Sequence, residues 1–128
     1  MIAKAKIDAG ICGFHTKVVA TSEDCQFVRF DITTSCDKIR DLADSLQEKG
    51  GIDAFLEISP TDESVIMNCV KSKLTGCCAG CAVAVGIFKA MQVAAGLALA
   101  KDININISSN KVGNYNLKRI LNGNHENK

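Results

Sequence analysis

Residues 26–46 read Gln26-Phe27-Val28-Arg29-Phe30-Asp31-Ile32-Thr33-Thr34-Ser35-Cys36-Asp37-Lys38-Ile39-Arg40-Asp41-Leu42-Ala43-Asp44-Ser45-Leu46, and the hydrophobic period changes within them. Up to Ile32 the period is two: Val28, Phe30 and Ile32 fall on one face, Phe27, Arg29 and Asp31 on the other, as in a half-buried strand. After Thr33-Thr34-Ser35 it becomes about 3.6, because Ile39, Leu42, Ala43 and Leu46 recur at i, i+3, i+4 and i+7. A strand therefore runs through a hydroxyl-rich cap into an amphipathic helix. Asp37 favours the first turn and Gly50-Gly51 stops the last. Cys36 lands at the helix start, where unpaired amides and the positive end of the dipole favour a thiolate.

Upstream, Ile2–Ile7 alternates and Lys17–Thr21 is β-branched, with Thr21-Ser22-Glu23-Asp24 as the turn into the next strand. An antiparallel sheet with one buried face follows. Downstream, Ile52–Ile58 reads equally as a short strand or a helical turn, and Ser59-Pro60-Thr61 ends it. A short helix is expected from Thr61, its apolar stripe being Val65, Ile66, Cys69, Val70 and Leu74, with Gly76 as its stop. Cys77-Cys78-Ala79-Gly80-Cys81 then opens a long helix from about Ala82 to Leu99, which Lys101-Asp102 breaks. Ile103, Ile105 and Ile107 alternate with Asn104, Asn106 and Ser108, predicting a last strand in the sheet. The expected fold is α+β: a small antiparallel sheet of three to four strands against two to three helices. Residues 1–108 form one domain, and 109–128 a polar tail with a weak apolar cluster at Tyr115, Leu117, Ile120 and Leu121.

The composition limits the functions open to such a domain. The chain has 128 residues, 47% of them hydrophobic, and a formal net charge of +1, so it can build one core and lacks the charge excess of nucleic-acid binders. Aromatics are 5% of residues, with no Trp and one Tyr, which leaves few surfaces for stacking bases. No nucleic acid partner is expected. The opening residues alternate charge with small apolar side chains, unlike a secretory signal. The apolar stretch Ala82–Ala100 is interrupted by Lys89, Gln92, Gly86 and Gly96, so it reads as a buried helix and no membrane partner is expected. The expected location is cytoplasmic.

Seven cysteines stand out: Cys12, Cys25, Cys36, Cys69, Cys77, Cys78 and Cys81. In a reducing compartment such a set is more often a metal or redox site than a disulfide framework. Cys12, inside Gly10-Ile11-Cys12-Gly13, lies between strands, Cys36 starts one helix and Cys81 opens another. All three can meet at one end of a strand–hairpin–helix fold. Glycines around two of them leave room for a bulky inorganic ligand and free amides to reach sulfur. Cys78-x-x-Cys81 could chelate zinc, share an iron–sulfur cluster or cycle as a dithiol. A dithiol enzyme would place the pair directly after a strand, whereas a helix precedes it here. Zinc sites typically use two paired knuckles, whereas this chain has one pair and single cysteines. Cysteine also fills cores: Cys69 lies on an apolar stripe and reads as core, and Cys25 after a polar turn reads as an incidental thiol. His15 reads as a strand-surface residue, Lys89 and Gln92 as surface or subunit-contact residues. The carboxylates Asp41 and Asp44 form a solvated face, and His125 lies in the tail.

The order Cys12-Gly13, Cys36 and Cys81 resembles that of the U-type iron–sulfur cluster scaffolds, the IscU/NifU-like proteins, over roughly residues 2–108. The resemblance implies that Cys12, Cys36 and Cys81 are thiolate ligands of a cluster. This chain has Phe14 where that family has an acidic residue, Gly80 where it often has histidine, and lacks its proline-rich chaperone-recognition segment. Those departures favour a cluster that stays in place over one assembled for transfer. The chain also resembles small proteins of anaerobic bacteria and archaea that share a Gly-Ile-Cys-Gly-Phe start, a middle cysteine and the Gly86–Leu99 pattern.

The functional expectation is an iron–sulfur protein, most simply of 4Fe-4S type, with Cys12, Cys36, Cys81 and Cys78 or Cys77 as ligands. It would serve in electron transfer, cluster storage or delivery, with a redox or cluster-transfer protein as partner. The alternatives are a zinc-binding or metal-free module and a dithiol redox protein using Cys78 and Cys81. The module would form a homo-oligomer through the small residues Gly86, Ala90, Ala94 and Ala98 of the 82–100 helix.

Overall fold

A computed structural model describes residues 1–59 and 63–110. Three strands come first, β1 (Ile2–Asp8), β2 (His15–Thr21) and β3 (Phe27–Thr34), followed by α1 (Asp37–Glu48). A two-residue strand, β4 (Ile52–Asp53), runs directly into a short helix, α2 (Ala54–Ile58). Then come α3 (Val65–Lys73), a 3-10 turn at Gly76–Cys78, and α4 (Val83–Ala94). The sheet is antiparallel in the order β1-β2-β3-β4. The α+β expectation and its small antiparallel sheet hold.

The register explains why one face is buried. Ala3 pairs with Ala20 and Ala20 with Phe30, while Ala5 pairs with Val18 and Val18 with Ile32, so small and branched side chains form rows beneath the helices. Val18, Ala20 and Val28 are fully buried there, and α4 packs on β1 and β2 while α1 packs on β3 and α3. The buried residues of α1 are Ile39, Leu42, Ala43 and Leu46, the stripe expected from the sequence. A tight turn closes β2 onto β3: the Asp24 carboxylate accepts from the Gln26 and Phe27 amides at 3.0 and 2.9 Å. Those bonds hold Asp24 below its usual carboxylate pKa.

The ambiguity over Ile52–Ile58 resolves into both elements. Asp53 ends β4 and caps α2, accepting from the Phe55 amide at 2.9 Å. At the next helix Ser64 caps α3, and the buried Glu57 accepts from the Ser64 hydroxyl at 2.6 Å and the Val65 and Ile66 amides at 2.8 and 2.9 Å. Three donors at a helix N-terminus stabilise a carboxylate there.

Two expectations need correction. The long helix stops at Ala94, not near Leu99, because Gly96 takes a φ of 77° and closes a Schellman motif. The Gly96 amide donates to the Val93 carbonyl at 3.0 Å and the Leu97 amide to that of Gln92 at 2.7 Å. Lys101-Asp102 therefore lies well beyond the helix end. The final strand is also absent: residues 101–109 have no regular structure, and Ile103, Ile105 and Ile107 are exposed. Alternation supplies a face but no partner, and the outer edge of β1 stays unpaired among the described residues. The apolar cluster at Tyr115–Leu121 lies outside the described residues.

α4 is apolar enough for a membrane when counted with the turn before it, Gly76–Ala94, at a mean hydropathy of 1.7. α4 itself lays one face on the sheet. Val83, Ala84, Gly86, Ile87, Ala90, Met91 and Ala94 are buried. Gly86 sets the spacing, since a Cβ there would overlap Ile7 Cδ1 and lie 2.6 Å from Ile7 Cγ1. The close approach permitted by Gly86, Ala90 and Ala94 is thus between α4 and its own sheet.

Candidate functional site

The rows beneath the helices end at one pole in two threonines. Thr16 is paired with Thr34 across the sheet, and their hydroxyls lie 2.8 Å apart. Thr34 Oγ1 also accepts from the Cys36 amide at 3.1 Å, fixing the backbone where β3 turns into α1. Cys36 is the N-cap residue, yet its side chain makes no capping bond; its carbonyl instead accepts the Arg40 amide at 2.9 Å. The thiol is left free to face inward.

The loop before β2 brings Cys12 to the same pole. Gly10 and Gly13 have φ of 97° and 74°, and the Gly13 amide donates to the Gly10 carbonyl at 2.9 Å, closing a turn around Ile11 and Cys12. The third approach is the segment before α4. Its 3-10 turn is held by the Cys78 amide on the Thr75 carbonyl at 3.3 Å, and the Cys81 amide donates to the Cys78 carbonyl at 3.1 Å.

These three segments enclose a cavity of about 70 Å³ lined by Cys12, Cys36, Cys78 and Cys81. Phe14, Ile39, Leu74 and Val83 complete an apolar wall, and Lys38 is its charged member. The Lys38 ammonium donates to the Thr75 carbonyl at 3.4 Å, tying α1 to the start of the cysteine turn. Cys36, Cys78 and Cys81 are partly buried and pack on the core, whereas Cys12 is exposed. Burial pushes the Cys81 thiol above its ordinary value of 9.0, the Val83 amide opposes this, and negative charge on Cys12, Cys78 or Cys36 would raise it further. Cys12, Cys78 and Cys36 are therefore each within electrostatic reach of Cys81. Among the described residues, however, no three Cys, His, Asp or Glu side chains close tightly enough to hold one metal ion.

The other cysteines fall elsewhere. Cys77 is exposed and is not part of the cavity wall. Cys69 is buried, and its sulfur accepts from the Ser45 hydroxyl at 3.3 Å, as a core position predicts. Cys25 is exposed in the β2–β3 turn, with a φ of 62°. His15 is exposed on β2 and does not line the cavity; Lys89 is exposed and Gln92 half-buried on α4. His125 lies outside the described residues. Sequence reasoning missed Phe14 and Lys38 as wall residues. The i, i+2 spacing of Cys36 and Lys38 across a helix start, and of Cys12 and Phe14 across a glycine turn, was the available signal. A larger groove of about 1100 Å³ runs between β1, α4 and residues 100–105, but no cysteine or histidine lines it.

The fold and site define a small α+β domain with a four-cysteine pole. Residues 3–107 match a family of unknown function, DUF6951, and the chain belongs to that family. No curated protein and no solved structure matches the chain.

Proposed function

We propose that this domain binds an iron–sulfur cluster, most simply of 4Fe-4S type, through Cys12, Cys36, Cys78 and Cys81. The observation that carries the reading is that four thiols from three separate segments line one apolar cavity. Its volume of about 70 Å³ is several times the roughly 10–15 Å³ that a single water needs. The cavity is therefore larger than a single ion requires. Cysteine thiolates are the ligands of such clusters, whereas zinc draws four donors tightly around a single centre. The dithiol alternative is disfavoured because the Cys78–Cys81 pair follows a helix and begins within a 3-10 turn, whereas a dithiol enzyme would place it directly after a strand.

The cluster would supply one-electron chemistry or iron and sulfide for transfer, and the role is that of an electron carrier, store or donor to a protein partner. The chain's own residues hold the four thiols, exclude water with Ile39, Leu74 and Val83, and place one cation at the rim. A reducing cytoplasm is the compartment in which free thiols of this kind persist. Because ligation needs thiolates, loading releases protons, and the raised Cys81 pKa makes loading weaken as pH falls. The test is anaerobic reconstitution with iron and sulfide, followed by visible absorption and assay of both elements. A coloured protein with stoichiometric iron and acid-labile sulfide is expected. A colourless protein that takes up zinc instead overturns the proposal.

A further inference from the structure

We infer that the four-cysteine site is built as three fixed ligands and one exchangeable one, with Cys12 as the ligand that gives way to an external thiolate. This rests on the cluster reading above and assigns unequal roles to its ligands. Cys36, Cys78 and Cys81 are half-buried and pack on the core, and the backbone of each is held by a local hydrogen bond: Thr34 Oγ1 for Cys36, the Thr75 carbonyl for Cys78 and the Cys78 carbonyl for Cys81. Cys12 differs in exposure and packing, although its turn too is closed by a local bond, from the Gly13 amide to the Gly10 carbonyl at 2.9 Å. It is exposed, is not among the half-buried residues that pack on the core, and sits on a turn between two positive-φ glycines. A Cβ added at Gly10 or Gly13 would meet nothing within 4 Å, so open space surrounds both sides of the turn. Its neighbour Ile11 is fully solvent-exposed, so no packing restrains the turn tip.

Swinging this turn outward breaks few contacts, whereas moving any of the other three disturbs a helix start or the core. The step balances without an oxidant: one iron–sulfur bond to Cys12 breaks and one to the incoming thiolate forms. The proton of the incoming thiol ends on the Cys12 sulfur. The ligand class is thus a soft anionic donor, a small thiol or a partner's cysteine, entering from the side of the 9–14 loop.

The experiment uses anaerobically reconstituted full-length protein in wild-type, Cys12→Ala, Cys36→Ala, Cys78→Ala and Cys81→Ala forms. The readouts are iron and sulfide content, and visible absorption before and after adding 2-mercaptoethanol. Far-UV circular dichroism of each apo form checks folding, and Cys→Ser variants replace any alanine variant that does not fold. Cys12→Ala is expected to retain iron and sulfide and to shift its absorption on addition of the thiol. The other three variants are expected to lose most of both elements. If Cys12→Ala loses the group as fully as they do, or retains it without responding to thiol, the inference is overturned while the cluster reading stands. If the wild type takes up no iron and sulfide, the cluster reading itself fails.

Discussion

The seam between α4 and the sheet and the cysteine pole are built from the same elements on opposite principles. At the seam, Gly86 lets Ile7 reach the helix backbone, and Ile87, Met91 and Val18 are fully buried. At the pole, a half-buried cysteine lies two residues before the same helix, and an exposed turn faces it across a cavity. The seam is filled and the pole is left open. Dense packing resists any change of volume, while open space lined by thiols tolerates substitution in the empty protein and matters only when something is held there.

The difference predicts a graded set of outcomes. Leu42→Ala, which empties a fully buried position, should lower stability by about 2–5 kcal/mol, read as the midpoint shift in urea unfolding. Gly86→Ala, which drives a methyl into Ile7, should cost about 1–3 kcal/mol in the same assay. A loss under about 0.5 kcal/mol would mean that Ile7 turns aside and the gain in helix propensity offsets the overlap. Asp53→Ala, removing the cap of α2, should cost about 1 kcal/mol. At the pole, Cys36→Ala should change the stability of the metal-free protein less than any of these while abolishing iron uptake. Stability falling as far as in Leu42→Ala would erase the contrast between the two regions.

The pH dependence is smaller still and has opposite signs at its two ends. The Cys81 thiol is raised in the folded chain, so the unfolded chain loses its proton first; metal-free stability should decline as pH climbs past 9.0. The Asp24 carboxylate is held low by its turn amides, so its contribution is present above 3.8 and lost as pH falls through the lower folded value. Thermal melts of wild type against Cys81→Ala and Asp24→Asn across both ranges isolate each group. A melting temperature whose pH dependence is unaltered by these substitutions would remove the two residues from the account.

Much of this was legible in the residues, because local pattern and final partner agreed. At Phe27–Leu46 the alternating stretch found strands on both sides and the helical stripe found a core, so period alone located the strand, the helix and Cys36 between them. At Ile103–Ile107 the same alternation failed, since pairing depends on an edge reached through space and no local signal reports it. The end of α4 was misplaced because an apolar run continues past Gly96, although that glycine is the residue able to adopt the required backbone. The site was legible as three cysteines at loop and helix-start positions. The choice between Cys77 and Cys78 was not, because it depends on the rotation of a 3-10 turn only three residues long.

X-ray absorption at the iron edge of anaerobically isolated protein bears most directly on whether the four thiols at this pole grip a polynuclear core. A first shell of sulfur with a second shell of neighbouring iron is the result predicted here. Iron with no iron neighbour, or a site occupied by zinc alone, would contradict it.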